Sequence, residues 1–212
     1  MAQNHEFETL KQGSTNTAAI EHYYDYWAKN YDEDIRNWDY KAPKEAASQL
    51  APHLPNGARV LDVGCGTGLV AEALLELCGC WIKGIDISEA SLEIAERRSV
   101  YRELQRCNLQ QLPLPLEKDS FDAAISIGVM TYIADPATLL ADLCRIVRSD
   151  GHILFTHRDD NWRKQGFNKL MKEIEARNLW KVLHISEPRA YLPANEDFAS
   201  DIKAIFAFSR VC

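Results

Sequence analysis

The stretch VLDVGCGTGLV at 60–70 ends an apolar run in Asp62 and then alternates Gly64, Gly66 and Gly68 with Cys65 and Thr67. Residues without a Cβ let a ligand approach the backbone, and a turn from a strand into a helix turns unpaired N–H groups toward it. A second acid, Asp86, closes the next apolar run, WIKGIDI. A carboxylate there can accept hydrogen bonds from two adjacent hydroxyls. One glycine would suffice for a tight turn; three in alternation, with acids before and after, predict a ligand loop. A dinucleotide loop, G-x-G-x-x-G, needs its third glycine at position 69, which is Leu69, and the Gly-Lys-Ser/Thr of a phosphate-binding loop is missing.

The elements around these residues read as alternating strands and helices. Residues 1–14 are polar and aperiodic, predicting a tail. Ile20, Tyr23, Tyr24, Trp27 and Tyr31 recur at helical spacing, and Pro43 opens a second helix through Leu50, so 15–55 reads as an N-terminal helical cap. From 56 to 212 the core follows: strand ARVLDV, a helix over 68–78, strand WIKGIDI, a helix capped by Ser88, and a strand near YRELQRCNL. FDAAISIGV is a fourth strand, Asp135-Pro136 start the next helix, and a turn at SDG precedes the fifth strand, HILFTH. A helix through Phe167 and Ile174 and two closing strands, WKVLHIS and IKAIFAFSR, complete it. Such alternation predicts one α/β domain with a seven-stranded, mostly parallel sheet covered on both faces and the glycine turn at its carboxyl edge.

The order Asp62-x-Gly64-x-Gly66-x-Gly68, with Asp86, the CNLQQLP segment and FDAAISIGVMTYIADP, resembles the class I S-adenosylmethionine-dependent methyltransferases. The resemblance implies their Rossmann-like sandwich and S-adenosylmethionine as cofactor, with no metal. It assigns Asp62, Gly64, Cys65, Gly66 and Gly68 to the cofactor loop, Asp86 to the ribose hydroxyls and Ile87 to the adenine face. CNLQQLP is similar to the family's GDAxxLP loop, so Asn108 would meet the adenine amino group and Leu109 would offer its backbone N–H. Ile127 would face the methionine end. YYDYWAKNYDEDI resembles the cap of small-molecule methyltransferases, bringing Tyr31 near the cofactor carboxylate; Tyr23 and Trp27 read as cap packing.

The acceptor is less defined. The Asn/Asp-Pro-Pro-aromatic signature of amino-nitrogen methyltransferases is absent, and Thr131 and Tyr132 stand where relatives carry a histidine pair. His157, with Asp159 or Asp160 to orient it, is a candidate general base, weighed against a favoured reading as an exposed residue capping the next helix. The aromatic cap predicts a small, partly apolar acceptor, with a protein side chain left open. With 24 Lys plus Arg against 31 acids and a net charge of -7, the chain is a poor match for nucleic acid. No apolar run is long enough to span a bilayer, MAQNHEFETLKQGSTNT has no apolar core for a signal peptide, and the scattered cysteines read as reduced thiols, so a cytoplasmic protein is expected. A cofactor-binding protein without methyl transfer is the alternative; a nicotinamide-linked oxidoreductase has the wrong loop spacing.

Overall fold

The computed structural model describes residues 13–196 and 202–212; residues 1–12, most of the expected tail, lie outside them. Helix α1 (Thr17–Asn37) starts where the Asn16 side chain accepts the Ala19 N–H, and it buries Ile20, Tyr23, Trp27 and Ile35. Helix α2 (Ala42–Leu50) has Pro43 in its first turn, where a missing N–H costs nothing. Then come β1 (Ala58–Val63), α3 (Leu69–Leu75), β2 (Cys80–Asp86), α4 (Glu89–Arg98), β3 (Glu103–Arg106), β4 (Phe121–Ser126) and α5 (Pro136–Ile146). The chain ends with β5 (Val147–Arg158), α6 (Asp159–Lys164), α7 (Phe167–Ala176), β6 (Trp180–Ile185), β7 (Arg189–Ala190) and β8 (Lys203–Val211).

The sheet runs β3-β2-β1-β4-β5-β8-β6. Its pairs from β3 to β5 are parallel, and β8 is antiparallel to both β5 and β6. The seven strands of this path match the expectation; the eighth is the short β7, with Arg189 opposite Ala204 on β8. Two further local differences have clear causes. Strand β5 starts at Val147, ahead of SDG, because Asp150 takes a left-handed φ of 64° and the pairing with β4 shifts register between Phe121 and Ala123. The segment after β5 forms two helices instead of one, divided at Gly166, whose φ is 65°.

Successive strand residues pack into opposite layers, as the pleat requires. Leu61, Ile153 and Phe155 join α5 and α7 on one face, while Val60, Leu154 and Phe206 join α2 and α3 on the other. A third cluster places α1 against Tyr132 and Leu192. Connections leave β1 toward β2 and arrive at β4 on its other side, so a crevice opens at the carboxyl ends of β1 and β4.

Candidate active site

At that crevice the glycine turn is tied to β2. The N–H groups of Gly64 and Cys65 donate to the Ile85 carbonyl at 2.8 and 3.1 Å. Gly66 N–H donates to Asp86 Oδ2 at 2.8 Å, and Ser88 N–H to Asp86 Oδ1 at 2.9 Å. Burial raises the pKa of Asp86, while the N–H groups of Ser88, Gly66 and Ile87 pull it back toward the charged form. Two of the glycines serve different needs. A Cβ on Gly64 would stand 2.3 Å from Val129 Cγ2, so this residue admits the loop after β4; a Cβ on Gly66 would meet nothing within 4 Å. The space beside Gly66 is the cleft itself, open for a ligand against the backbone.

The cleft encloses about 1080 Å³, including its solvent-open mouth. Tyr31, Gly64, Gly66, Asp86, Ile87, Asn108, Leu109 and Ile127 all line it, bringing together residues from the cap helix, the loop and the ends of β2 and β4. Asn108 turns its side-chain oxygen onto Gln110 N–H at 3.0 Å, which leaves that oxygen a second lone pair. Asp62, Cys65 and Gly68 do not line the cleft. Asp62 points from β1 into the layer behind it, where its Oδ2 accepts the Tyr101 hydroxyl at 2.7 Å. Cys65 is buried against Gly84, and burial pushes its thiol pKa up. Gly68, at φ 100°, packs toward Arg98 and Tyr101. These three shape the loop from behind.

The opposite wall is aromatic. Tyr24, Trp27 and Tyr31 of α1 face Tyr40, Tyr132 and Tyr191. Trp27 and Tyr31 meet edge to face at 4.6 Å, and Tyr40 and Tyr191 at 5.4 Å. Trp27 therefore lines the cleft as well as packing the cap, and its Nε1 donates to Asp34 at 2.6 Å. Burial raises the pKa of Tyr24, Tyr31, Tyr40, Tyr132 and Tyr191, so these phenols stay protonated.

His157 is neither exposed nor in the cleft. It is 2% exposed, its ring lies 4.4 Å from that of Phe167, and its nitrogens contact Thr131 Oγ1 at 3.4 Å and Gln165 Oε1 at 3.1 Å. Asp159 and Asp160 pair with Arg163 and Arg158 instead of orienting it. Burial lowers its pKa to about 4. Its neighbour Arg158, on the other face of β5, does line the cleft and was not singled out in the sequence; among the described residues it and Asp86 are the charged groups of the lining. The signal for it was the strand pleat: if His157 faces one layer, residue 158 faces the other.

Helix α1 is fixed over this cleft by its acids. Glu21 pairs with Arg106, Asp25 accepts the Ser88 hydroxyl at 2.7 Å, and Asp32 accepts the Thr67 hydroxyl at 2.6 Å and pairs with Arg98. Among the described residues no group of His, Cys, Asp and Glu could hold a metal, and no helix is long and apolar enough to cross a membrane.

Residues 61–155 match the family model described as a methyltransferase domain. Human Methyltransferase-like protein 27 is 32% identical over 168 residues, covering 76% of this chain and 68% of its own. The Ubiquinone biosynthesis O-methyltransferase of Neisseria meningitidis is 31% identical over 109 residues, 50% of this chain; the match spans about half of that enzyme, 46%. An S-adenosylmethionine dependent methyltransferase from Mesorhizobium loti shares the fold with a TM-score of 0.59 at 20% identity, over 77% of this chain and 96% of that one. The matched domain, the shared fold and a relative aligned over most of both chains together establish that the chain belongs to the S-adenosylmethionine-dependent methyltransferases, with S-adenosylmethionine as its cofactor.

Proposed function

We propose that the protein transfers the methyl group of S-adenosylmethionine to a small, partly apolar acceptor held between the β4–β5 edge and the aromatic face of α1. The observation that carries this reading is one cleft in which the loop residues Gly64 and Gly66, with Asp86 at the end of β2, lie across from Tyr24, Trp27 and Tyr132. When bound, the cofactor supplies an electrophilic methyl on a sulfonium. In this reading Asp86 accepts the ribose hydroxyls, Ile87 and Leu109 flank the adenine, Asn108 meets its amino group, and Tyr31 and Ile127 border the methionine end. Gly66 lets the cofactor lie against the backbone.

The chain's own contribution to rate is then positioning and exclusion of water by the aromatic wall. Among the described residues the lining offers no histidine, lysine or thiol as a base, and its phenols are held protonated. The acceptor atom must therefore arrive with an available lone pair or release its proton to solvent. That same lack of a base also motivates the second reading, a protein that binds the cofactor without turnover.

Two measurements test the proposal. Asp86→Ala should weaken S-adenosylhomocysteine binding by about 10- to 100-fold in calorimetry, about 1.4 to 2.8 kcal/mol. With isotopically labelled cofactor and a cell metabolite extract, label should move into the small-molecule fraction. Wild-type protein that binds no S-adenosylhomocysteine defeats the reading; saturable binding with no transfer to any fraction favours the second one; label on protein alone reassigns the acceptor.

A further inference from the structure

We propose that Gln110 is a positioning residue of the methyl-transfer cleft: its amide clasps the segment before α1 to the loop after β4, and so sets how long the cofactor and its product stay bound. This rests on the placement of the adenine at Asn108 and Leu109, and adds a residue that acts on the cofactor through other parts of the chain.

Residues 13–17 lie beside the cleft, where the chain enters α1. Gly13 turns there at φ 64°, so close to its neighbours that a Cβ would stand 2.7 Å from Thr131 Cγ2 and 3.2 Å from Asn161 Nδ2. A residue without a Cβ is what lets the segment pass against both the loop after β4 and α6 in that conformation. Ser14 Oγ accepts the Asn16 N–H at 3.2 Å, and Asn16 in turn accepts the Ala19 N–H at 3.0 Å. Thr17 and Ile20 then line the cleft.

The Gln110 amide holds this segment from the other direction. Its Nε2 donates to the Thr15 carbonyl at 2.8 Å and to Thr17 Oγ1 at 2.9 Å, and its Oε1 accepts the Ala134 N–H at 3.1 Å. An amide carries two N–H donors and a carbonyl, so one side chain meets a carbonyl, a hydroxyl and an N–H together; a carboxylate lacks the donors and an ammonium the acceptor. Thr15 and Ala134 both lie outside helices and strands, where backbone groups are satisfied by side chains or left to water.

The clasp also touches the cofactor subsite. Gln110 itself lines the cleft, and its backbone N–H donates to Asn108 Oδ1 at 3.0 Å. Ala134 follows Tyr132 and Ile133, both in the lining, so the same amide ties the adenine side to the aromatic wall. The acids of α1 reach the opposite border, formed by Arg106, Ser88, Thr67 and Arg98. With the cap held on both sides, the adenine end leaves only when one set of contacts opens.

The test follows S-adenosylhomocysteine entry and release by stopped flow on full-length protein, read through the fluorescence of Trp27, which lines the cleft. Gln110→Met keeps the length and deletes all three hydrogen bonds, and should raise koff at least about 5-fold, one net hydrogen bond's worth. Opening a gate does not slow entry, so kon should fall by no more than about 2-fold. A residue that merely supported the shape of the site would lower kon instead. Thr17→Val deletes the accepting hydroxyl, keeps the shape, and should raise koff at least about 2-fold. Combining the two should raise it no further than Gln110→Met alone, because both act through one clasp. A smaller rise in either single variant, a larger fall in kon, or rises that multiply in the double variant overturns the inference. Should Gln110→Met not fold, the Thr17→Val rates decide by the same thresholds. Failure of wild type to bind S-adenosylhomocysteine instead removes the methyl-transfer reading beneath it.

Discussion

Asp62 is 1% exposed, its Oδ2 takes the Tyr101 hydroxyl, and its Oδ1 has no partner among the described residues. Burial raises its pKa to about 7, with the charge of Asp86 adding to the rise and the Tyr101 hydrogen bond opposing it. An unfolded aspartate ionises near pH 3.9, so between about pH 4 and 7 the folded protein holds a proton that the unfolded chain has lost. Stability from this group is full below about pH 4 and falls as pH rises toward 7. Asp62→Asn should flatten that decline in urea unfolding of cofactor-free protein; an unchanged slope would show that Asp62 is already ionised in the fold. The glycine loop and Asp86 were legible in the sequence because their spacing is local. The direction of the Asp62 side chain was not, since it is set by Tyr101, 39 positions away.

At the scale of elements, Arg98 on α4 is where the cap meets the cofactor loop. Its Nε donates to the Thr67 carbonyl at 2.6 Å, one outer nitrogen to Glu72 at 2.7 Å, and the other to Asp32. One side chain thus joins α4, the loop, α3 and α1, with 17% of its surface exposed. Arg98→Ala should cost about 1–3 kcal/mol in chemical denaturation, since it strands charged partners that are partly buried. It should also speed amide exchange in α1. Arg106→Ala, whose side chain is 54% exposed, should cost under about 1 kcal/mol by the same assay. If the two variants lose equal stability, Arg98 is not the joint described. The aromatic periodicity of α1 revealed the helix from sequence, whereas its acids looked like an ordinary solvated face; their partners are remote in the chain.

For the whole molecule, alternation of strands and helices was enough to infer the parallel half of the sheet and the place of its crevice. It could not reveal that β8, last in the chain, inserts between β5 and β6, because antiparallel closure leaves no local mark. Nor could it sort His157 from Arg158. Strand β5 is buried on both faces, so hydrophobicity does not alternate along it, and the pleat alone separates the packed imidazole from the cleft-lining guanidinium. The cleft is bordered by α1, the loop and the ends of β2, β4 and β5, so a ligand there links elements from the whole chain. S-adenosylhomocysteine at 100 times its Kd should stabilise the protein by about 2.7 kcal/mol, about 5–10 °C in Tm for a domain of this size. A flat melting profile with ligand would contradict that linkage.

The acids with which α1 grips the core, Glu21, Asp25 and Asp32, follow one another at intervals of four and seven residues. Each residue of a helix turns the chain by about 100°, so these intervals keep all three on one stripe. Within 21–32 the helix can vary freely in the identity of its outward residues, but inserting or deleting a single residue would rotate the later grips off the core. Over this segment, then, the sequence can drift in composition while its length is locked.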